Sequence, residues 1–276
     1  MPSVLVTGAA RGIGRSITEH LAERGWDVIA GVRSEADAAS VAAVNPNRIT
    51  PLILDVTDAG HLARLESELP ARLDGIVNNA GIAVTGPIET VTSESWRNQL
   101  EVNVIGALAV TRAVLPRLRE SHGRIVFISS VNGQLVMPML GAYCASKFAL
   151  EAAAEALRME LRPWHIPVSV VEPAQTDTDM WRTADTMVEE MESALRPDER
   201  ALYARHVVGM KKLIPMARRM AVAPEKVALV VERALTARRP RPRYVVGAGP
   251  RAQAALMTNL PIAVRDRVLR KVSGQP

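Results

Sequence analysis

The sequence predicts an α/β fold: a doubly wound parallel sheet of about seven strands, flanked by helices. Three observations carry this. Short runs rich in Val and Ile alternate with stretches of helical periodicity from residue 3 onward, the pattern of a parallel sheet covered on both faces. The crossovers between parallel strands are expected to be right-handed. The segments rich in glycine and polar side chains follow the strands, where ligands of such sheets sit.

Residues 3–7 form the first predicted strand. Residues 12–24 form a helix, because Ile13, Ile17 and Leu21 recur every fourth position and Gly25 stops the run. A second strand at 27–32 precedes a helix at 35–43. A third strand at 49–54 precedes a helix at 59–69, with Asp58 as its cap. The fourth strand begins at 75–77 and leads to a long helical region at 95–119. The fifth strand, 124–129, leads to a helix at 142–162 that Pro163 ends. The sixth strand, 167–171, closes at Pro173.

Between 175 and about 222 the periodicity fails. The stretch holds Met180, Met187, Met191, Met210, Met216 and Met220, with Trp181 and Tyr203. A helix at 224–238 and a last strand at 243–246 follow. No repeat or low-complexity linker divides the chain, so 1–276 is expected to be one domain. Residues 175–222 would be an insertion above the sheet, and 247–276 a C-terminal extension.

Hydrophobic residues make up 48% of the chain and aromatics only 3%, so the core must be built from Ala, Val, Leu, Ile and Met. The single cysteine, Cys144, excludes an internal disulfide and suits a reducing compartment. The N-terminus lacks the pattern of a secretory signal and no apolar run is long enough to span a bilayer, so a cytoplasmic protein is expected. The five histidines show no metal-ligand spacing, and no metal site is expected. The net charge of +5 hides an asymmetry: from Arg196 onward 18 Lys/Arg stand against 5 Asp/Glu, whereas the rest has 16 against 24. A solvated Arg-rich surface is the plainer meaning, and an acidic surface or ligand the other. The run Arg238-Arg239-Pro240-Arg241-Pro242-Arg243 has no nucleic-acid motif and no interleaved aromatics, so no nucleic-acid partner is expected.

The chemistry concentrates in a few segments. Thr7-Gly8-Ala9-Ala10-Arg11-Gly12-Ile13-Gly14 joins the first strand to the first helix. Glycines there permit a tight turn and close approach of a backbone to a pyrophosphate, with helix N–H groups to receive the anion. The turn resembles Thr-Gly-x-x-x-Gly-x-Gly of the short-chain dehydrogenase/reductase family. Four more segments agree in order: Asn78-Asn79-Ala80-Gly81, Asn103, Ser130 thirteen residues before Tyr143 in Tyr143-Cys144-Ala145-Ser146-Lys147, and Pro173–Thr178 with Ala174 replacing a glycine.

The resemblance implies a Rossmann-type dinucleotide-binding catalytic domain and an oxidoreductase acting on a carbonyl or alcohol. Tyr143 would exchange a proton with the substrate oxygen. Lys147 would lower the tyrosine's pKa and hold the nicotinamide ribose. Ser130 would bond the substrate oxygen, and Asn103 would position a water. Tyr143 and Lys147, four apart on a predicted helix, share a face. Lowering a tyrosine from about 10 by about three units takes about 4 kcal/mol. An ammonium at about 4–5 Å supplies about 3–4 kcal/mol at an effective dielectric near 20.

The expected cofactor residues are Thr7, Gly8, Arg11, Gly12, Ile13 and Gly14 of the turn, then Arg33, Asp55 and Val56. Asn79, Ala80, Gly81, Pro173 and Thr178 complete the set with Tyr143 and Lys147. Val32 stands where relatives that prefer NAD carry Asp. Arg33 and Arg11 are placed to meet a 2′-phosphate, so NADP(H) is expected over NAD(H). The segment around Tyr-Cys-Ala-Ser-Lys-Phe-Ala-Leu-Glu resembles the hydroxysteroid and retinol dehydrogenase branch. With the Met-rich 175–222 covering the site, the expected substrate is bulky and hydrophobic, steroid- or retinoid-like. A homodimer or homotetramer is expected. A weak contact with anionic membranes is also expected, through the basic C-terminal third and the apolar stretch 254–264 interrupted by Asn259 and Pro261. The alternative, a nucleotide-binding sensor without turnover, should lack Tyr143, Lys147 or Ser130, and all three are present.

Overall fold

The computed structural model describes residues 1–178 and 182–275. Its seven strands pair in the order β3-β2-β1-β4-β5-β6-β7, all in parallel. They are β1 Ser3–Thr7, β2 Asp27–Val32, β3 Ile49–Ile53, β4 Gly75–Asn78, β5 Arg124–Ile128, β6 Val168–Glu172 and β7 Arg243–Val245. The chain leaves β1 toward β2 and β3, then returns to place β4 on the other side. A crevice opens where that direction reverses, beyond the carboxyl ends of β1 and β4.

Side chains of a strand alternate between faces, and the sheet is packed on both. On one face Val4, Val6, Val28, Ala30, Val77 and Val126 meet Ile17 and Leu21 of α1 (Gly12–Glu23) and Val227, Val231 and Leu235 of α9 (Pro224–Thr236). On the other, Leu5, Ile29, Ile76, Ile125 and Phe127 meet Val110, Val114 and Leu118 of α5 (Ala107–Ser121) and Leu150 and Ala154 of α6 (Gly141–Glu160). Burial of apolar surface at about 25 cal/mol per Å² makes these layers the main stabilising element. The β3 edge is covered by α2 (Glu35–Ala42), capped by Ser34, while α3 (Ala59–Glu68) packs on α5 and is capped by Asp58, which accepts the His61 N–H at 2.7 Å.

The helical region expected at 95–119 is not one helix. It is α4 (Ser93–Leu100), a π-helical turn (Glu101–Gly106) and then α5. A β-carbon at Gly106 would lie 2.7 Å from Val56 Cγ2, so the chain crosses the Val56 loop too closely for any side chain there. That contact lies far off in sequence, which is why local periodicity misses the break.

Residues 175–222, expected to be irregular, are largely two helices, α7 (Ala184–Ala194) and α8 (Pro197–Met220). Their apolar stripes are narrow. Over α8's 24 residues only Val207, Gly209, Ile214 and Ala217 are buried. Val207 and Ile214 pack in a small separate core with Val188 and Met139. A stripe that thin leaves no clear period in the sequence. Arg196 closes the start of α8, its N–H donating to Glu199 Oε2 at 2.9 Å. The methionines divide: Met187 and Met210 line the central cavity, Met191 packs on the small core, and Met216 and Met220 face solvent, contrary to a common covering role. Met180 and Trp181 lie outside the described residues.

The C-terminal extension forms α10 (Ala248–Thr258) and α11 (Ile262–Val272). The stretch 254–264 is therefore no single anchor but straddles the break between them. Beyond α11 the chain returns to α8. Ser273 is buried, Gly274 lies against Gly209, and Gln275 Nε2 donates to the His206 carbonyl at 3.3 Å. Among the described residues no helix is long and apolar enough to cross a membrane.

Candidate active site

The turn after β1 is built by glycines at two positions that need them. Gly8 and Gly12 hold φ of +65° and +54°, a region L-residues rarely adopt. A β-carbon on Gly8 would also stand 3.0 Å from Ala80 Cα. One on Gly14 would collide with the Gly8 carbonyl and the Asn79 amide. These close approaches fasten the β1 turn to the β4 turn. Asn79 Nδ2 donates to the carbonyls of Thr7 at 3.0 Å and Gly8 at 3.1 Å. Thr7 Oγ1 accepts the N–H groups of Asn79 and Ala80, both at 3.0 Å. Thr7 is thus buried behind the turn and does not line the cavity. Its hydroxyl positions the two binding loops against each other.

A cavity of about 750 Å³ runs from this turn across the crevice. Gly8, Arg11, Gly12, Ile13 and Gly14 form one end, with Arg33, Asp55 and Val56 beside them. Asn79, Ala80 and Gly81 form the floor, and Pro173 and Thr178 one wall. Ser130, Tyr143 and Lys147 stand in its middle, and Met187, Val188, Met210, Leu213 and Ile214 of α7 and α8 line the far end. The N-terminus of α1 opens onto the cavity without any side-chain cap at Arg11, which leaves its first N–H groups for an anion. A glycine cradle with free helix N–H groups at the strand-order reversal fits the pyrophosphate of a nicotinamide dinucleotide.

At the far side of β2, Val32 is buried and Arg33 is exposed. Arg11 is exposed as well. Asp55 accepts the Thr57 N–H at 2.9 Å and the Thr57 hydroxyl at 2.7 Å. Burial raises the Asp55 pKa, but these two bonds and the charge of Arg33 outweigh it and leave the carboxyl below its usual range. Asp37 also lines this end, held by the Ser34 hydroxyl at 2.8 Å. Sequence reasoning missed it, because its only local signal is that of a helix first turn.

Ser130 follows β5 and starts a 3₁₀ turn (Val131–Gly133), accepting the Asn132 N–H at 3.1 Å. Tyr143 stands close enough for the Ser130 hydroxyl to lower its pKa. Tyr143 and Lys147 lie one turn apart on α6, and Lys147 Nζ is 5.8 Å from the Tyr143 ring centroid while donating to the Ile128 carbonyl at 2.9 Å. The expected lowering of the tyrosine's pKa is not found in this state. Burial pushes Tyr143 up to about 12, the Ser130 hydroxyl opposing only in part. Burial likewise drives Lys147 down to about 8, with Glu151 opposing. Burial of both groups outweighs the opposing influences on each.

Asn103 is buried in the π-helical turn. Its Oδ1 accepts the Ile82 N–H at 2.8 Å, and its Nδ2 donates to the Ile82 carbonyl and Ser146 Oγ, both at 3.0 Å. The side chain thereby holds the chain after Gly81 in place. Gln99 does the same one turn earlier, accepting the Val84 N–H at 2.6 Å and donating to the Ile82 carbonyl at 2.9 Å. Cys144 is buried and its thiol is pushed up by that burial, which leaves it an inert packing group.

A seven-stranded parallel sheet, a glycine turn at its reversal point and a Ser–Tyr–Lys set in one cavity define a nicotinamide-dependent oxidoreductase. The family model described as short chain dehydrogenase matches residues 2–189, and the chain belongs to that family. Within it the chain falls in the retinol and hydroxysteroid dehydrogenase-like branch. It is 33% identical to retinol dehydrogenase 5 of Mus musculus over 99% of this chain and 89% of that protein. It is 32% identical to the NADPH-dependent 3-dehydrocapnine reductase of Ornithobacterium rhinotracheale over 98% and 97%. Among solved structures it superposes on a short chain dehydrogenase from Burkholderia cenocepacia in complex with NADP, with a TM-score of 0.76 at 27% identity over 97% of both chains. The protein is therefore an oxidoreductase that binds a nicotinamide cofactor and acts on the CH–OH group or carbonyl of a small molecule.

Proposed function

We propose that the protein transfers a hydride between NADP(H) and a bulky hydrophobic alcohol or ketone, with Tyr143 as the proton donor or acceptor. The observation that carries this is the single cavity in which Ser130, Tyr143 and Lys147 face an apolar far end built by Met187, Met210, Leu213 and Ile214. When bound, the nicotinamide supplies or takes the hydride. The chain's own residues handle the oxygen. The Ser130 hydroxyl steadies it and Tyr143 gives it a proton in reduction. With its pKa near 12, Tyr143 holds that proton at neutral pH, which suits it as a donor. In oxidation it must lose the proton, and Lys147 in its ammonium form favours that loss.

Preference for NADP(H) rests on Val32, which brings no carboxylate to the adenosine ribose, and on Arg11 and Arg33 at the same end of the cavity. Asp37 works against it. The NADPH dependence of the dehydrocapnine reductase agrees with it, and the retinol dehydrogenases agree with an apolar substrate. The test is a panel of retinoids, steroids and long-chain ketones and alcohols, followed by nicotinamide absorbance with both cofactors. Turnover with higher kcat/KM for NADP(H) is expected. Equal or better efficiency with NAD(H) overturns the cofactor assignment, and turnover only of small polar substrates overturns the substrate class.

Two contacts are proposed besides. Exposed Ile105 and Phe148, beside α5 and on α6, suit a homodimer or homotetramer, which light scattering would detect. On α11, Val264, Val268 and Val272 form an exposed stripe at every fourth residue, flanked by Arg267, Arg270 and Lys271. That pattern suits weak contact with an anionic bilayer.

A further inference from the structure

Below Ser130 and Lys147 lies a second set of buried charges that the proposed reaction does not use. Glu151 follows Lys147 by one turn of α6, and both are buried. Glu172 ends β6, has no exposed surface, and immediately precedes Pro173 in the cavity wall. Neither glutamate lines the main cavity.

Arg243, at the start of β7, spans the two: its Nε lies 2.5 Å from Glu172 Oε1 and its Nη2 2.8 Å from Glu151 Oε2. The same Nη2 reaches the exposed Glu155 at 3.3 Å. Gln134 Nε2 donates to the other Glu172 oxygen. Gln134 ends the turn that begins at Ser130, and the Val131 N–H of that turn donates to the Pro173 carbonyl at 3.1 Å. Gly133 presses the turn onto the pair, since a β-carbon there would stand 3.0 Å from Glu151 Cγ and 2.8 Å from Ser129 Oγ. A small cleft of about 80 Å³, lined by Glu151, Glu155, Arg158 and Arg243, reaches the cluster from outside without sharing a residue with the main cavity.

Charge balance makes this set consequential. With Lys147 an ammonium ion, it and the partly exposed Arg243 stand against two buried carboxylates. The ionised pair favours the ammonium form of Lys147, and that support weakens when the pair takes up a proton. The protonation of Lys147 and of the pair is therefore coupled. The shifts follow this sense. Burial and Glu151 push Glu172 up to about 7 against the pull of Arg243 and Gln134, and Glu151 opposes the fall of Lys147. The remaining charged groups at the cleft, Glu155 and Arg158, sit on α6 toward solvent.

We propose that Glu151 and Glu172 are positioning residues for the hydride transfer proposed above: cross-linked by Arg243, they keep Lys147 charged and, through Gln134, hold the turn that aims Ser130. The inference rests on that reaction. A structural pair alone would stabilise the fold and leave the pH profile unmoved.

The test compares the full-length protein with Glu151→Gln, Glu172→Gln and Glu151→Asp. It measures kcat against pH on a substrate from the panel, Tm, and the infrared C=O stretch of protonated carboxyl groups. In Glu151→Gln the alkaline fall of kcat moves to lower pH, with a rate near pH 9 about tenfold below wild type, the effect of a one-unit shift. Glu151→Asp restores the profile. The unsubstituted protein shows a carboxylic acid band that vanishes as pH rises through neutral, and Glu172→Gln lacks it. Profiles that superimpose on wild type, with activity lost only as Tm falls, overturn the proposal. So does absence of a titrating band in the unsubstituted protein, a reading that holds even if a variant fails to fold. The infrared measurement needs no substrate, so a band without turnover on any panel member counts against the reaction and not against the shared proton.

Discussion

The sheet half of the molecule and the cap above it are built on different rules. In the sheet half, side chains of the site are held by buried or half-buried bonds to backbone: Lys147 to Ile128, Asn103 to Ile82, Asn79 to Thr7 and Gly8. The cap, α7 and α8 with the returning C-terminus, has a core of four fully buried apolar residues, Met139, Val188, Val207 and Ile214. It meets the cavity with flexible side chains such as Met187 and Met210. Packing that thin is inexpensive to rearrange, and methionine fits irregular shapes. The difference teaches that the sheet half fixes its polar side chains by hydrogen bonds, whereas the cap meets the cavity with adaptable apolar side chains.

The sharpest way to break that division is Tyr143→Phe. It removes one hydroxyl from the sheet half, and kcat/KM should fall about 10²–10⁴-fold while cofactor binding, followed by fluorescence, persists. Near wild-type turnover would take proton transfer away from Tyr143. Next in size is the adenosine end. Arg33→Ala should raise KM for NADPH about tenfold, the loss of one charge-assisted hydrogen bond, and leave KM for NADH nearly unchanged. Equal effects on both cofactors would remove Arg33 from 2′-phosphate recognition.

Met187→Ala and Met210→Ala probe the cap. Each should raise substrate KM about tenfold or less with kcat nearly constant, because these contacts hold the substrate equally before and during reaction. A large loss of kcat would show that the cap also orients the reacting atoms.

The buried charges of the sheet half should also show in stability against pH. Glu172 has its folded pKa raised from 4.5 to about 7, so its contribution is fully present below 4.5 and is lost as pH rises through 7. Lys147 is lowered from 10.5 to about 8, so its contribution is fully present above 10.5 and is lost as pH falls through 8. Together they place a minimum between about 7 and 8 on the unfolding curve, and Glu172→Gln should remove the fall on its acid side. Denaturant unfolding at stepped pH measures both. The smallest expected effect is at the surface of the extension. Val268→Glu should abolish sedimentation with anionic vesicles at low salt, where each Lys or Arg contributes roughly 1 kcal/mol. Salt should do the same to wild type.

Much of this was legible in the amino-acid order. The strands, α1 and α6 and the glycine turn follow from local rules, repeating apolar positions and glycines before a helix, and the Ser130–Tyr143–Lys147 set from the resemblance of its motifs to those of the family. Those signals are short-range, and so they survive in one dimension. The tertiary structure alone decided the rest. Thr7 and Asn103 act on backbone brought from distant segments, at Asn79 and Ile82. The π-turn exists because Gly106 meets Val56. Tyr143 is raised and not lowered because burial, which no spacing reveals, dominates its surroundings. Glu151, Glu172 and Arg243 become one charged cluster only because β6, β7 and α6 bring them together, and the energy of a buried charge is set by which neighbours the fold supplies.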